Sequence, residues 1–150
     1  MPESVRQFLE NAGLPQEAAP FLSFGPGKLD WLRRPEDDLD RYSVVGTDGS
    51  GDPLVVDEDG VVWRIDHEAP DQKTLVNSSM QALAECLLAY RNLVLETVAL
   101  GGEGAYLNGL TPGRIIEAFS SAVAGVDAAA GRPGTFWGQE LSRLLAEASG

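Results

Sequence analysis

The sequence predicts an α+β fold, with a sheet in the first half of the chain and helices in the second. Three features predict it. Runs of β-branched and aromatic residues between 42 and 76 are separated by turns rich in Asp and Gly. From Met80 onward, apolar residues recur at spacings of three and four. The strand-like and helix-like patterns are also segregated, whereas a parallel sheet built of βαβ units would alternate them. A length of 150 residues and a hydrophobic share of 43% suit a single domain, 1–150, with a sizeable core.

Taken in order, Ser4 and Gln7 resemble a capping box, and Val5, Phe8 and Leu9 form an apolar stripe. An N-terminal helix is therefore expected, stopped by Gly13-Leu14-Pro15. A further helical turn is expected over residues 16–19, then a short strand at Phe21-Leu22-Ser23-Phe24, ended by Gly25-Pro26-Gly27. Three stronger strands follow: Tyr42-Ser43-Val44-Val45-Gly46, Leu54-Val55-Val56 and Val61-Val62-Trp63-Arg64-Ile65. Asp59-Gly60 between the last two is a hairpin signal, because such a pair accepts positive φ. A last strand is read at Leu75-Val76. The whole predicts a central mixed, mostly antiparallel sheet of about five to six strands.

Three C-terminal helices complete the plan. Asn77 or Ser78 can cap the first, with Gln81 closing the box, and Met80, Leu83, Leu87, Tyr90, Val94 and Val98 line its buried face. Gly101-Gly102-Glu103-Gly104 breaks it. Thr111 as cap and Pro112 in the first turn open the second, lined by Ile115, Ile116, Phe119 and Val123. After Gly131-Arg132-Pro133-Gly134, the third carries Phe136, Trp137, Leu141, Leu144 and Leu145.

Charge is the unusual feature. Twenty-three acidic residues against eleven basic ones give a net charge of −12. Residues 36–72 hold twelve of the carboxylates against Arg41 and Arg64 alone, so this quarter of the chain carries −10. Such a surface repels phosphate and anionic lipid, which disfavours nucleic acid and membrane as partners and favours a basic protein. Part of the acidity has a simpler origin in turns, where Asp bonds its own backbone. The predicted steering charges are Glu36, Asp37, Asp38 and Asp40, and Trp31, set among Lys28, Asp30, Arg33 and Arg34, is the candidate exposed anchor. Trp63 and Trp137 are read as core. No stretch is apolar enough for a transmembrane helix, and the N-terminus does not read as a secretory signal. One cysteine cannot form an internal disulfide and suits a reducing compartment, so a cytoplasmic location is expected.

Catalysis has little material. Cys86 lies among leucines in a helix and reads as core filling, and His67, the single imidazole, stands without a nucleophile motif. One Cys and one His cannot build a zinc site, and Asp48-Gly49-Ser50-Gly51-Asp52 and Asp57-Glu58-Asp59-Gly60 lack EF-hand spacing and read as turns. No catalytic, cofactor-binding or metal-ligating residue is assigned, and no cofactor is expected.

Several segments in order carry a resemblance. Arg6-Gln7-Phe8-Leu9 with Gly13-Leu14-Pro15 and Phe21 comes first, then Tyr42-Ser43-Val44-Val45-Gly46 and the hairpin from Val55 to Val62. Val76-Asn77-Ser78-Ser79, Val126-Asp127 and Phe136-Trp137 follow. In that order and spacing the chain resembles the SUKH superfamily, specifically its fourth immunity subgroup, over nearly its whole length. The resemblance implies a SUKH-like domain with a central sheet flanked by helices. It also implies a non-enzymatic, cytoplasmic bacterial protein that binds and neutralises a cognate polymorphic toxin, often a nuclease or nucleic-acid deaminase. It brings no catalytic residues and gives no guidance for residues 101–109 or for the acidic run. A regulatory or scaffold module with no toxin partner is the alternative, and a small hydrolase built on His67 is a third reading.

Overall fold

A computed structural model describes residues 17–18, 22–24, 42–66, 68–69 and 72–149. The chain divides into two compact units, Met1–Ala84 and Glu85–Gly150.

The first unit is a sheet. Its body is four strands: β3 (Ser43–Thr47), β4 (Pro53–Val56), β5 (Val62–Ile65) and β6 (Lys73–Asn77), each hydrogen-bonded to its neighbour in sequence. Two short segments, β1 (Glu17–Ala18) and β2 (Leu22–Phe24), continue the order beyond β3. The body is thus smaller than the expected five to six strands, and the further pairings involve segments of two and three residues. Nor is the sheet mixed among the described residues, since every pairing is antiparallel. The turns from β3 to β6 are too short for the crossover that a parallel pair needs. Residues 17 and 18 are strand, not the expected helical turn: Glu17 faces Ser23 and Ala18 faces Leu22. A single helical turn fixes several residues for one hydrogen bond, and pairing with β2 satisfies the same backbone groups at less cost. The expected N-terminal helix lies outside the described residues.

Register sorts the side chains. Val44, Val55, Trp63 and Leu75 stand opposite one another and share one face, while Gly46, Leu54, Arg64 and Thr74 share the other. Val55 and Ile65 are buried on the first face, with Tyr42, Val44 and Trp63 packed against them. β4 is buried along its whole length, as a central strand of Pro-Leu-Val-Val should be.

Helix α1 (Met80–Gly101) begins in the first unit and continues in the second. Its N-cap is Ser79, whose Oγ accepts the Ala82 amide at 3.0 Å, one residue beyond the predicted Ser78 and two beyond the predicted Asn77. Of the predicted stripe, Met80, Leu83, Leu87 and Tyr90 are buried, but the buried line then runs through Leu93 and Thr97 instead of Val94 and Val98. Leu83, Cys86, Tyr90, Leu93 and Thr97 still recur at steps of 3 and 4 residues, so the buried line stays on one helix face, with its last two positions one residue earlier than predicted.

The rest of the second unit is α2 (Gly113–Val126), a 3-10 turn (Ala128–Gly131) and α3 (Phe136–Ser149), which pack on one another. Tyr90, Phe119 and Trp137 form its aromatic centre, with ring centres 5.2 to 5.8 Å apart. Trp137 is fully buried, as predicted. Thr111 is not the cap of α2: that position is Pro112, with extended backbone and no side-chain bond. The Thr111 hydroxyl instead meets Thr97 Oγ1 at 3.2 Å, where both side chains are buried. Buried hydroxyls need partners, and this pairing satisfies one with the other.

α3 is opened by Thr135, whose Oγ1 accepts the Gly138 amide at 3.0 Å and lies 2.8 Å from the Ala130 carbonyl. Gly138 is required here. A Cβ on it would fall 2.2 Å from the Arg132 carbonyl oxygen, which is backbone and cannot swing away. Ala normally improves a helical Gly position by up to about 1 kcal/mol. Gly138→Ala should instead destabilise by about 2 kcal/mol or more, because the backbone around Arg132 must move. Gly125→Ala, whose Cβ would meet nothing within 4 Å, should stabilise or be neutral. Urea denaturation of the two variants against wild type checks both signs.

Candidate functional site

The two β-turns that flank β4 share one construction. In each, an Asp accepts two backbone amides through Oδ1 and the residue three positions on is a Gly with positive φ. Asp48 Oδ1 accepts from Ser50 at 2.9 Å and Asp52 at 3.0 Å, with Gly51 at φ 88°. Asp57 Oδ1 accepts from Asp59 at 2.9 Å and Val61 at 3.0 Å, with Gly60 at φ 84°. Asp66 opens the β5–β6 connection in a related way, its Oδ1 accepting from Glu68 at 2.9 Å and Ala69 at 3.3 Å. The turn reading of these aspartates is what the structure shows.

The second carboxylate oxygen of each hairpin Asp reaches a side chain of β5. Asp48 Oδ2 lies 3.6 Å from Arg64 Nη1, and Asp57 Oδ2 accepts Trp63 Nε1–H at 3.0 Å. Trp63 meets the core prediction only in part: it packs against Val55 and Ile65 but is half-buried, its indole nitrogen holds Asp57, and Lys73 Nζ stands 4.1 Å from its ring centre. A cation over an indole face is attracted by the ring quadrupole. Partial burial opposes the charge on Asp57. Hydrogen bonds from Trp63, Val61 and Asp59, with the Lys73 charge, outweigh that and hold the carboxyl below its usual range.

This placement changes how the acidity is distributed. Successive connections of an antiparallel meander fall at alternate ends of the sheet. Asp48, Asp52, Asp66 and Glu68 therefore sit at one end, and Asp57, Glu58 and Asp59 at the other. Among the described residues, the carboxylates of the 36–72 run do not make one continuous negative face. Glu58, Asp59, Asp66 and Glu68 are exposed, divided two and two between the ends. The predicted partner-binding residues Trp31, Glu36, Asp37, Asp38 and Asp40 lie outside the described residues, as does His67.

The second unit holds a polar cluster that sequence reading missed. Tyr90 OH donates to Glu140 Oε1 at 2.5 Å and is in hydrogen-bond contact with Tyr106 OH. Arg143 Nη2 lies 3.3 Å from both phenol oxygens and is paired with Glu140, while its Nη1 donates to Glu147 at 2.7 Å. Burial first, then the bond to Glu140, raises the Tyr90 pKa far above the phenol range. Burial also raises Tyr106. The bond to Glu140 fixes the charge on Arg143. Glu140, Arg143 and Glu147 are visible in sequence as helical pairs at three and four residues. Nothing local shows that two tyrosines from elsewhere complete the group.

Cys86 is fully buried, in keeping with core filling. Among the described residues, no group of three or more His, Cys, Asp or Glu is placed to hold a metal ion. No described helix is long and apolar enough to cross a membrane. Compared with known proteins, residues 1–146 match the family model described as SUKH-4 immunity protein. Neither the curated proteins nor the solved structures give a match.

Two outcomes follow from these geometries. Asp57→Asn removes the charge and places an amide where Trp63 Nε1–H needs an acceptor, so about 1–2 kcal/mol should be lost at pH 7. A depressed folded-state pKa stabilises above the unfolded value near 4 and ceases to as pH falls through the folded value. The gap between wild type and Asp57→Asn should therefore narrow below about pH 4. Guanidinium titrations at pH 7 and pH 3 measure it. Tyr90→Phe removes the donor to Glu140 and should cost about 1–3 kcal/mol in the same assay.

Proposed function

Since the chain belongs to the SUKH-4 immunity protein family, we propose that it binds and neutralises a cognate bacterial toxin without catalysing a reaction of its own. The family match over residues 1–146 carries this reading, and it supports treating 1–150 as one SUKH-like domain because it runs through both compact units. The toxin is a basic domain, a nuclease or nucleic-acid deaminase, and the encounter takes place in the cytoplasm. A net charge of −12 supports the sign of the partner, since an enzyme that acts on nucleic acid presents a positive cleft that an acidic protein can find and block.

Neutralisation by binding asks for a preformed surface and fast association, not for reactive groups. Cys86 is buried, and Asp48, Asp57 and Asp66 accept backbone amides at turns. Glu36, Asp37, Asp38 and Asp40 are the proposed steering charges and Trp31 the proposed anchor. These four lie in one short run, whereas the exposed turn carboxylates are divided between the two sheet ends. That concentration favours the run as the source of long-range attraction.

Co-expression with a candidate toxin domain drawn from the adjacent reading frames tests the role directly: the wild-type protein should restore growth and form a complex with the purified domain. Absence of both protection and binding would remove the immunity reading. The variant carrying Glu36→Gln, Asp37→Asn, Asp38→Asn and Asp40→Asn should associate about tenfold more slowly at low salt, with a flatter salt dependence. An unchanged on-rate in stopped flow would reject the charge assignment and leave the immunity role standing.

A further inference from the structure

The second unit leaves several large apolar side chains in solvent. Leu107 is 76% exposed, Leu110 62% and Leu100 60%, the three highest values among the large hydrophobic residues described. All three lie between the last turn of α1 and the start of α2. Isolated exposed leucines are ordinary. Three within eleven residues, on a connection that is itself well built, are not.

The connection is held from several directions. Gly102, at φ 94°, turns the chain out of α1, and its amide returns to the Val98 carbonyl at 2.8 Å. Ala105 is buried, and its carbonyl accepts the Leu110 amide at 2.9 Å, which closes the tip. Gly109, at φ 71°, stands between the two tip leucines. Tyr106, beside Leu107, is tied to Tyr90 and Arg143, and Thr111, beside Leu110, is tied to Thr97. Each exposed leucine of the tip thus neighbours an inward-facing residue with a buried or half-buried hydrogen bond. A loop ordered in this way loses little conformational entropy when a partner binds.

Two acidic residues adjoin the tip, and Arg114 is exposed just beyond it in the first turn of α2. Glu103 is exposed in the loop, and a Cβ on Gly109 would meet the Glu147 Cβ at 3.0 Å, so Glu147 lies directly against the tip. Arg143, the cation of this cluster, is already paired with Glu140 and Glu147. An apolar tip with an acidic margin fits an apolar depression bordered by Lys or Arg.

We propose that Leu107 and Leu110 insert into such a depression on the toxin domain, with Glu103 and Glu147 facing its basic border. This rests on the immunity reading and names the surface that would serve it. It also places the contact in a segment for which the family resemblance gave no guidance, where a protein sharing a fold with its relatives can differ in partner.

The test uses the full-length protein and the purified toxin domain that it protects against in the co-expression assay. Leu107→Ser with Leu110→Ser should weaken binding about 100-fold or more. Because both side chains are exposed, the thermal midpoint should stay within a few degrees of wild type. Leu88→Ser with Leu95→Ser, on an exposed flank of α1, should change affinity less than threefold. Glu103→Arg should slow association severalfold at low salt. Wild-type binding with an undiminished affinity in the Leu107/Leu110 variant overturns the proposal and leaves the immunity role intact. An equal or larger loss in the Leu88/Leu95 variant overturns it too. So does a concentration-dependent dimer of the protein alone that the Leu107/Leu110 variant abolishes, since the occupant would then be a second copy. Failure of the wild-type protein to bind the toxin removes the immunity reading and this surface with it.

Discussion

A tight turn between antiparallel strands leaves backbone amides that no neighbouring strand can reach, and the sheet of this protein depends on carboxylates that reach them instead. Asp48 and Asp57 each take two such amides on one oxygen and offer the other oxygen to β5, through Arg64 and Trp63. Asp48 thereby ties the β3–β4 hairpin to the following strand, and Asp57 ties its turn to the strand that the turn opens. Two of these amides, on Asp52 and Val61, are part-buried, so each Asp has a structural role before any partner is considered. Gly51 and Gly60 belong to the same device, because the turn brings the chain through positive φ where a Cβ is strained.

This division of labour alters the meaning of the acidity. A run of twelve carboxylates looks like one surface when counted along the chain. A meander distributes its connections to both ends of the sheet, so the seven described carboxylates of that run are split in space. Three of the described aspartates are also engaged by amides, which leaves their potential partly directed inward. Electrostatic attraction at long range survives such a split, because it depends on net charge, whereas a localised negative patch does not. The unusual composition supports fast encounter more strongly than it supports any one docking face.

The elements most legible in sequence were those with dense local signals. The strands around Val44, Val55 and Trp63, the helices beginning near Met80 and Phe136, and the Asp-Gly turns each combine periodicity with a turn or cap residue. What escaped was settled by pairing at a distance. Residues 17 and 18 joined a strand because Ser23 and Leu22 lay opposite. Thr111 left its capping position for a bond to Thr97, fourteen residues earlier. The Tyr90 cluster is the clearest case, since Glu140 is fifty residues from Tyr90, and a phenol inside an apolar helical stripe looks like any other core residue. Gly138 was invisible for the same reason: only the return of the Arg132 carbonyl makes a side chain there impossible.

Strongly displaced proton equilibria ordinarily mark reactive sites, because burial and charge are what tune an acid or base. Among the described residues the displaced groups have a different explanation. Asp57 is lowered by the amides and indole of the turn it closes, and Tyr90 and Tyr106 are raised by burial within a cluster whose carboxylate is already paired with Arg143. In neither place does the displacement leave a group poised to give or take a proton near neutral pH: the carboxyl is held ionised and the phenols are held neutral. Both clusters spend their electrostatics on fixing backbone, one at a hairpin and one at the connection that displays Leu107 and Leu110. Such a molecule is suited to presenting a surface of fixed shape, which is what inhibition by binding requires.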